Sequence, residues 1–409
     1  MPDKLKILVG GVPFGCDNVG DEAILECGVA ILREAAPGCE ISVCTNDGPA
    51  TAKKLGVRTC PLLGFPPNTG RVRIQEEINA HDVFVWCGAT GLSDYPEIPL
   101  ELLTLAQAAG KKTILWGVGM NHELNPALYR LWPGKRRSLL SAVSAATFGR
   151  FDAVAAEEHR WQQRARRKIA LGLNNADLVV VRDADSRAEV MWCGVTRDVI
   201  VGMDSALELK PAPRETVTLP EEVQNLLKTN ARVIGVCISA QRKIQDEQNL
   251  LGYLNRIVED GTVRILFVPM NPVTDAQLMK ELQAKMARPE CAAVMEGRYE
   301  PAEVLEVVSR LNAIVSSRLH LLIFASIVEV PFIGISRGSK VDTFLKPFGL
   351  KSVGVVEDLS FDQLLKETYR VLSHREPLSA TIKKTRHSLL NQLNQAKVHL
   401  KAVLHSDTR

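Results

Sequence analysis

Aromatic residues make up only 5% of this 409-residue chain, too few to favour the stacking platforms on which single-stranded nucleic acids bind. Charge of one sign is also scarce, since 50 Lys and Arg face 47 Asp and Glu. The resulting +3 argues against nucleic acid as an obligatory partner. Apolar runs stop well short of the ~20 residues that cross a bilayer, so any membrane role is expected to be peripheral. Paired cysteine motifs are missing too. Cys16, Cys27, Cys39, Cys44, Cys60, Cys87, Cys193, Cys237 and Cys291 are scattered, with no Cys-x-x-Cys among them. That spacing supports neither a zinc ribbon nor a dithiol redox centre, and no metal site is expected. Most of these thiols lie in apolar runs and read as reduced, buried residues of a cytosolic protein. Cys16 differs, because it lies in a glycine-rich loop where it could approach a ligand. Met1-Pro2-Asp3-Lys4 runs directly into the strand-like Leu5–Val9, without the apolar region of a signal peptide. The expected location is the cytoplasm, with contact at the inner face of the membrane left open.

What is present is an alternation of short apolar runs with longer amphipathic segments, the pattern of a parallel sheet with crossover helices. Strands are expected at Lys6–Val9, Glu40–Cys44, Asp82–Trp86, Thr113–Val118 and Leu178–Arg182, with helices at Gly20–Ala35 and Pro99–Ala109 among those between them. Residues 208–220 carry three prolines and break both periodicities, as a linker would. The pattern then restarts at Arg232–Ser239, Arg264–Pro269, Ala313–Ser316 and Pro331–Ile335. The fold class expected is therefore α/β, with two Rossmann-like domains facing a cleft lined by strand carboxyl ends. Their predicted extents are 1–207 and 221–376, followed by a polar helix within 377–409.

Residues 121–177 interrupt the sheet pattern with helical, base-rich sequence that includes Lys135, Arg136, Arg137, Arg150, Arg160, Arg164, Arg166, Arg167 and Lys168. Such a segment reads either as a solvated excursion between strands or as a surface that meets an anionic lipid-linked substrate or the cytoplasmic leaflet.

Four stretches could carry chemistry. Gly10 to Glu22 joins the first strand to the first helix, and its glycines and helix start would suit a phosphate or carboxylate. It lacks the Gly-Lys-Ser/Thr of a Walker loop and the Gly-x-Gly-x-x-Gly dinucleotide spacing. Within it Asn18, Gly20, Asp21 and Glu22 are candidates, although Asp21 and Glu22 equally suit a helix cap. Gly88 and Gly91 mark a second strand-end turn, and Gly117 a third. Arg182 closes a strand, where its fork could clamp a carboxylate or phosphate, or pair with Asp183. The strongest stretch is Ala313 to Ala325, where a buried strand ends in Ser316-Ser317-Arg318-Leu319-His320 before an apolar helix. An arginine buried there needs an anion, either a ligand or a protein carboxylate. A histidine on the first helical turn is placed to move protons, or else to be a satisfied core residue. Lys340 follows the next strand and is either a further cation of the site or a surface lysine.

Taken together, Asn18-Val19-Gly20-Asp21-Glu22-Ala23-Ile24-Leu25, Val181-Arg182-Asp183, Ser317-Arg318-Leu319-His320 with Ile323-Phe324-Ala325, and Lys340-Val341 resemble the polysaccharide pyruvyl transferase family. Order and spacing agree over residues 5–350. The resemblance implies a GT-B-like fold, phosphoenolpyruvate as co-substrate without a further cofactor, and a saccharide acceptor of a cell-envelope or exopolysaccharide precursor, either free or lipid-linked. The product would be a pyruvate ketal. Donor-binding residues would be Ser317, Arg182, Arg318 and Lys340, with Arg318 and His320 catalytic. Asn18, Gly20, Asp21, Glu22, Gly88, Gly91 and Gly117 would face the acceptor or shape the crevice. Relatives often carry Tyr-Asp-Pro-Lys-Val where this chain has Ser336-Arg337-Gly338-Ser339-Lys340-Val341, and a glycine run where it has Cys87-Gly88-Ala89.

Two other readings fit the same architecture. A nucleotide-sugar glycosyltransferase or epimerase would need an acid for the ribose hydroxyls, for which Asp275 and Glu303 are available. A non-catalytic scaffold in envelope-polymer assembly would bind ligand without turnover.

Overall fold

The computed structural model describes residues 4–148, 150–241, 244 and 247–406. The chain forms two compact units, one built from residues 1–13, 33–202 and 396–409 and the other from 14–32 and 203–395. Each is organised around one parallel sheet.

The sheet of the first unit contains β1 (Lys6–Phe14), β2 (Glu40–Thr45), β3 (Arg58–Pro61), β4 (Val83–Cys87), β5 (Lys112–Val118), β6 (Leu178–Val181) and β7 (Ile200–Val201). Their spatial order is β3-β2-β1-β4-β5-β6-β7. The sheet of the second unit contains β8 (Arg232–Cys237), β9 (Val263–Phe267), β10 (Ala292–Val294), β11 (Ala313–Ser316) and β12 (Phe332–Gly334), in the order β10-β9-β8-β11-β12. Both orders reverse direction once, between β1 and β4 and between β8 and β11. At such a switch point the strand carboxyl ends leave an opening that ligands use.

Central strands such as Val83–Cys87 and Ala313–Ser316 are buried along their whole length, because helices cover both faces of a parallel sheet. That continuous burial is why most expected strands agree with those observed to within one or two residues; the exception is β1, which runs on through Gly10–Phe14, so that only residues 15–18 are left to join it to the first helix. Within these two sheets the strands not expected, β3, β7 and β10, lie at edges, and a small antiparallel pair, Gly354–Val355 with Asp358–Leu359, was not expected either. An edge strand is short and needs no long apolar run, so it leaves a weak pattern in sequence.

Two helices begin with site residues, and a third ends in the first unit. Val19–Ala35 begins with Asp21 and Glu22 in its first turn, where carboxylates complement the helix dipole. Leu319–Ile327 is buried at every residue except His320. Arg375–His405 contributes its last turns, from Ala396, to the first unit. There Lys112 donates from Nζ to the carbonyls of Val403, at 3.0 Å, and of Ser406.

The proline-containing segment 208–220 holds short 3-10 turns at Ser205–Glu208 and Arg214–Thr216, and Ala212 donates its N–H to the Ala302 carbonyl at 2.9 Å. The base-rich stretch forms helices Pro126–Tyr129, Lys135–Ala146 and Ala153–Asn174. Ala153–Asn174 is the crossover from β5 to β6 and buries Ala165, Ile169 and Leu173. Lys135–Ala146 buries none of its residues. Among the described residues, no helix is long and apolar enough to cross a membrane.

Candidate active site

In the second unit the switch point is stitched by serines. Ser317, at the end of β11, accepts through Oγ the N–H of Ser239, which follows β8, at 2.9 Å. Ser316 Oγ accepts the N–H of Arg318 and donates to its carbonyl, both at 2.9 Å. These bonds hold Arg318 in an extended conformation before the helix begins. Arg318 is 8% exposed, and its guanidinium forks onto the fully buried Asp275, Nε to Oδ2 at 2.9 Å and Nη2 to Oδ1 at 2.7 Å. Asp275 also accepts the N–H groups of Ala240 and Asn271, each at 3.1 Å. Arginine and carboxylate thus compensate each other's loss of water, and the Asp275 bonds do not use Nη1 of the fork.

His320 occupies the first turn of the following helix. Its Nε2 lies 3.5 Å from Oδ2 of Asp204, a buried residue whose Oδ1 accepts the Ala206 N–H at 3.1 Å. No hydrogen bond satisfies the buried His320 Nε2 among the described residues. On its other side the imidazole rests on Gly20. A Cβ there would lie 2.1 Å from Nδ1, so only glycine admits the ring.

Gly20 is placed by its neighbours. Asn18 Oδ1 accepts the Gly20 N–H at 3.1 Å, while Asn18 Nδ2 donates to Asp21 Oδ2 at 2.7 Å. Burial pushes the Asp21 carboxyl above its ordinary value, against the downward pull of His320, Lys340 and Arg318. The second unit therefore brings Asn18, Gly20, Asp21, Arg318, His320 and Lys340 into one electrostatic neighbourhood. Lys340 is half-buried on the first turn of the helix Ser339–Leu345. Glu22 accepts the Gly15 N–H at 2.7 Å and so shapes the loop. Arg337 donates to Ser239 Oγ and Gln241 Oε1, both at 2.5 Å.

The first unit gathers the remaining candidates. Gly88 and Ala89, after β4, both adopt positive φ, +77° and +61°, a conformation that favours glycine. Gly88 donates to the Trp116 carbonyl at 2.8 Å and Gly119 to that of Ala89 at 2.7 Å, joining the turns after β4 and β5. Gly91 packs over the Trp86 ring, and Gly117 has φ +65° at the irregularity in β5. Arg182 is buried, with Nη2 2.7 Å from where a Gly119 Cβ would stand and Nε 3.3 Å from Asp183 Oδ2.

Asp204 is the site residue that sequence reasoning missed. It lies far from His320 along the chain, and its local pattern reads only as the cap of a short turn. Asp275 was visible as a candidate acid, but its partnership with Arg318 was not.

Two parallel-sheet α/β units, each with its switch point, define the GT-B type of fold, and solved structures agree. A Listeria monocytogenes protein assigned as a UDP-N-acetylglucosamine 2-epimerase matches with TM-score 0.62 and 12% identity, over 99% of this chain and 98% of its own. Anabaena HepE in complex with UDP-glucose gives 0.57 at 11% identity, over 97% and 100%. The UDP-GlcNAc 2-epimerase of Neisseria meningitidis bound to UDP-GlcNAc gives 0.57 at 13%, over 96% and 100%. Likeness at such low identity speaks for the fold alone. The sequence model of the polysaccharide pyruvyl transferase family matches residues 18–339, and the chain belongs to that family. No curated protein matches the sequence.

Proposed function

We propose that the protein transfers the pyruvyl group of phosphoenolpyruvate to a saccharide of a cell-envelope or exopolysaccharide precursor, forming a ketal without a further cofactor. The observation that carries this reading is the packing of His320 between the buried Asp204 and Gly20, with Arg318 two residues away. His320, held by Asp204, delivers a proton to the methylene carbon, which leaves C2 electrophilic. One sugar hydroxyl then attacks C2 and its proton returns to His320. The C2–O bond to phosphate breaks, a second hydroxyl closes the ketal, and that hydroxyl's proton leaves with inorganic phosphate. Lys340 and the Nη1 of Arg318 that Asp275 leaves unused supply the positive charge that the carboxylate and phosphate need. Asn18 and Asp21 face the acceptor.

The nucleotide-sugar reading loses both of its candidate acids to structural tasks. Asp275 is consumed by Arg318, and Glu303 accepts the Glu300 N–H at 2.8 Å in a capping box. His320→Ala should lower phosphate release from phosphoenolpyruvate, in the presence of lipid-linked saccharides, by about 10²–10⁴-fold. Circular dichroism should show the fold intact. Retained turnover would remove His320 from the mechanism, and UDP release from UDP-sugars would favour the glycosyltransferase reading.

A further inference from the structure

The helix Lys135–Ala146 turns an apolar stripe to solvent. Leu139 and Val143, four residues apart and so on one face, are both exposed, and the flanking Trp132 and Phe148 are 63% and 94% exposed. Large apolar side chains grouped in this way on a soluble domain mark a surface that meets something. The charge of the same stretch says what. Between Arg130 and Lys168 ten Lys and Arg stand against three acids, a balance of +7 in a chain whose total is +3.

Some of these bases have internal work. Arg166 is buried, donates to the His122 carbonyl at 2.9 Å and stacks on Trp192, while Arg136 pairs with Glu157 at 2.6 Å. Lys135, Arg150, Arg164 and Arg167 are exposed. The rest of the chain is correspondingly acidic, so this stretch is where attraction to a negative surface is concentrated. Exposed aromatic and aliphatic groups beside arginine and lysine fit the boundary between lipid headgroups and acyl chains.

We propose that this helix pair is a docking surface for an anionic lipid bilayer. Trp132, Leu139, Val143 and Phe148 enter the interface and the surrounding bases hold lipid phosphates. None of these residues is assigned to pyruvyl transfer, so neither reading depends on the other. The test is co-sedimentation of the full chain with vesicles of phosphatidylcholine and phosphatidylglycerol, against phosphatidylcholine alone, without phosphoenolpyruvate. The protein should partition onto the anionic vesicles and be released by added salt. Arg150→Gln and Arg164→Gln should each weaken partitioning about five-fold. The pair Leu139→Glu and Phe148→Glu should abolish it while leaving the far-ultraviolet dichroism unchanged. Equal binding to neutral vesicles, or partitioning unaffected by these variants, overturns the proposal. So does a dimer in light scattering that Leu139→Glu dissociates, because the occupant would then be a second copy of the chain.

Discussion

A methyl group on Gly20 would stand 2.1 Å from Nδ1 of His320, and the ring has little room to retreat with Asp204 on its far side. Gly20→Ala would ordinarily favour a helix. Here it should instead cost about 1–3 kcal/mol through overpacking, and should lower kcat about a hundredfold by displacing the imidazole. Urea denaturation and the phosphate-release assay read the two effects separately. Asp21 offers a test that depends on pH. Burial raises its value in the folded protein above the ordinary 3.8, so the folded state holds the proton more tightly than the unfolded chain. Stability from this linkage is complete below the unfolded value and is lost as pH rises through the folded one. Asp21→Asn escapes that loss. The variant should be more stable than the parent at neutral pH, and the gap should close as pH falls below 3.8. A gap independent of pH in urea titrations would place the effect elsewhere.

At the scale of elements, the strand end of β11 is held by a buried ion pair whose value lies in its completeness. Asp275→Ala would leave the Arg318 charge buried without its carboxylate, and equilibrium denaturation should show a loss of about 3–5 kcal/mol. The motif on this strand was legible in sequence because a buried apolar run, two serines, an arginine and a histidine fall within a few residues. Its partners were less so. Asp204 and Asp275 reach the site through the fold, one capping a short turn and the other in the first turn of the helix Thr274–Lys285, and in either place a carboxylate reads from sequence as a cap. Less legible too were β3 and β7, where edge positions relax the apolar pattern, whereas β10 is buried but only three residues long. The helix Lys135–Ala146 is the opposite case. Its basic composition was evident in sequence, yet only the fold shows that Leu139 and Val143 point outward.

At the scale of the whole molecule, the repetition of strand and helix announced two Rossmann-like units, and family membership agrees with the motifs that carried the resemblance. What sequence alone did not reveal is how the chain is shared. The first unit takes its final helical turns from residues 396–405, whereas the second claims residues 14–32 from near the beginning. Lys112 shows what depends on this exchange, since its buried ammonium donates to carbonyls of the last helix. During synthesis the ribosome must therefore complete the entire second unit before the first can close. At translation speeds of about 5–20 residues per second, that wait lasts on the order of ten seconds or more. Through that interval the nascent amino-terminal sheet must persist without its last helix, a period in which a chaperone has reason to attend it.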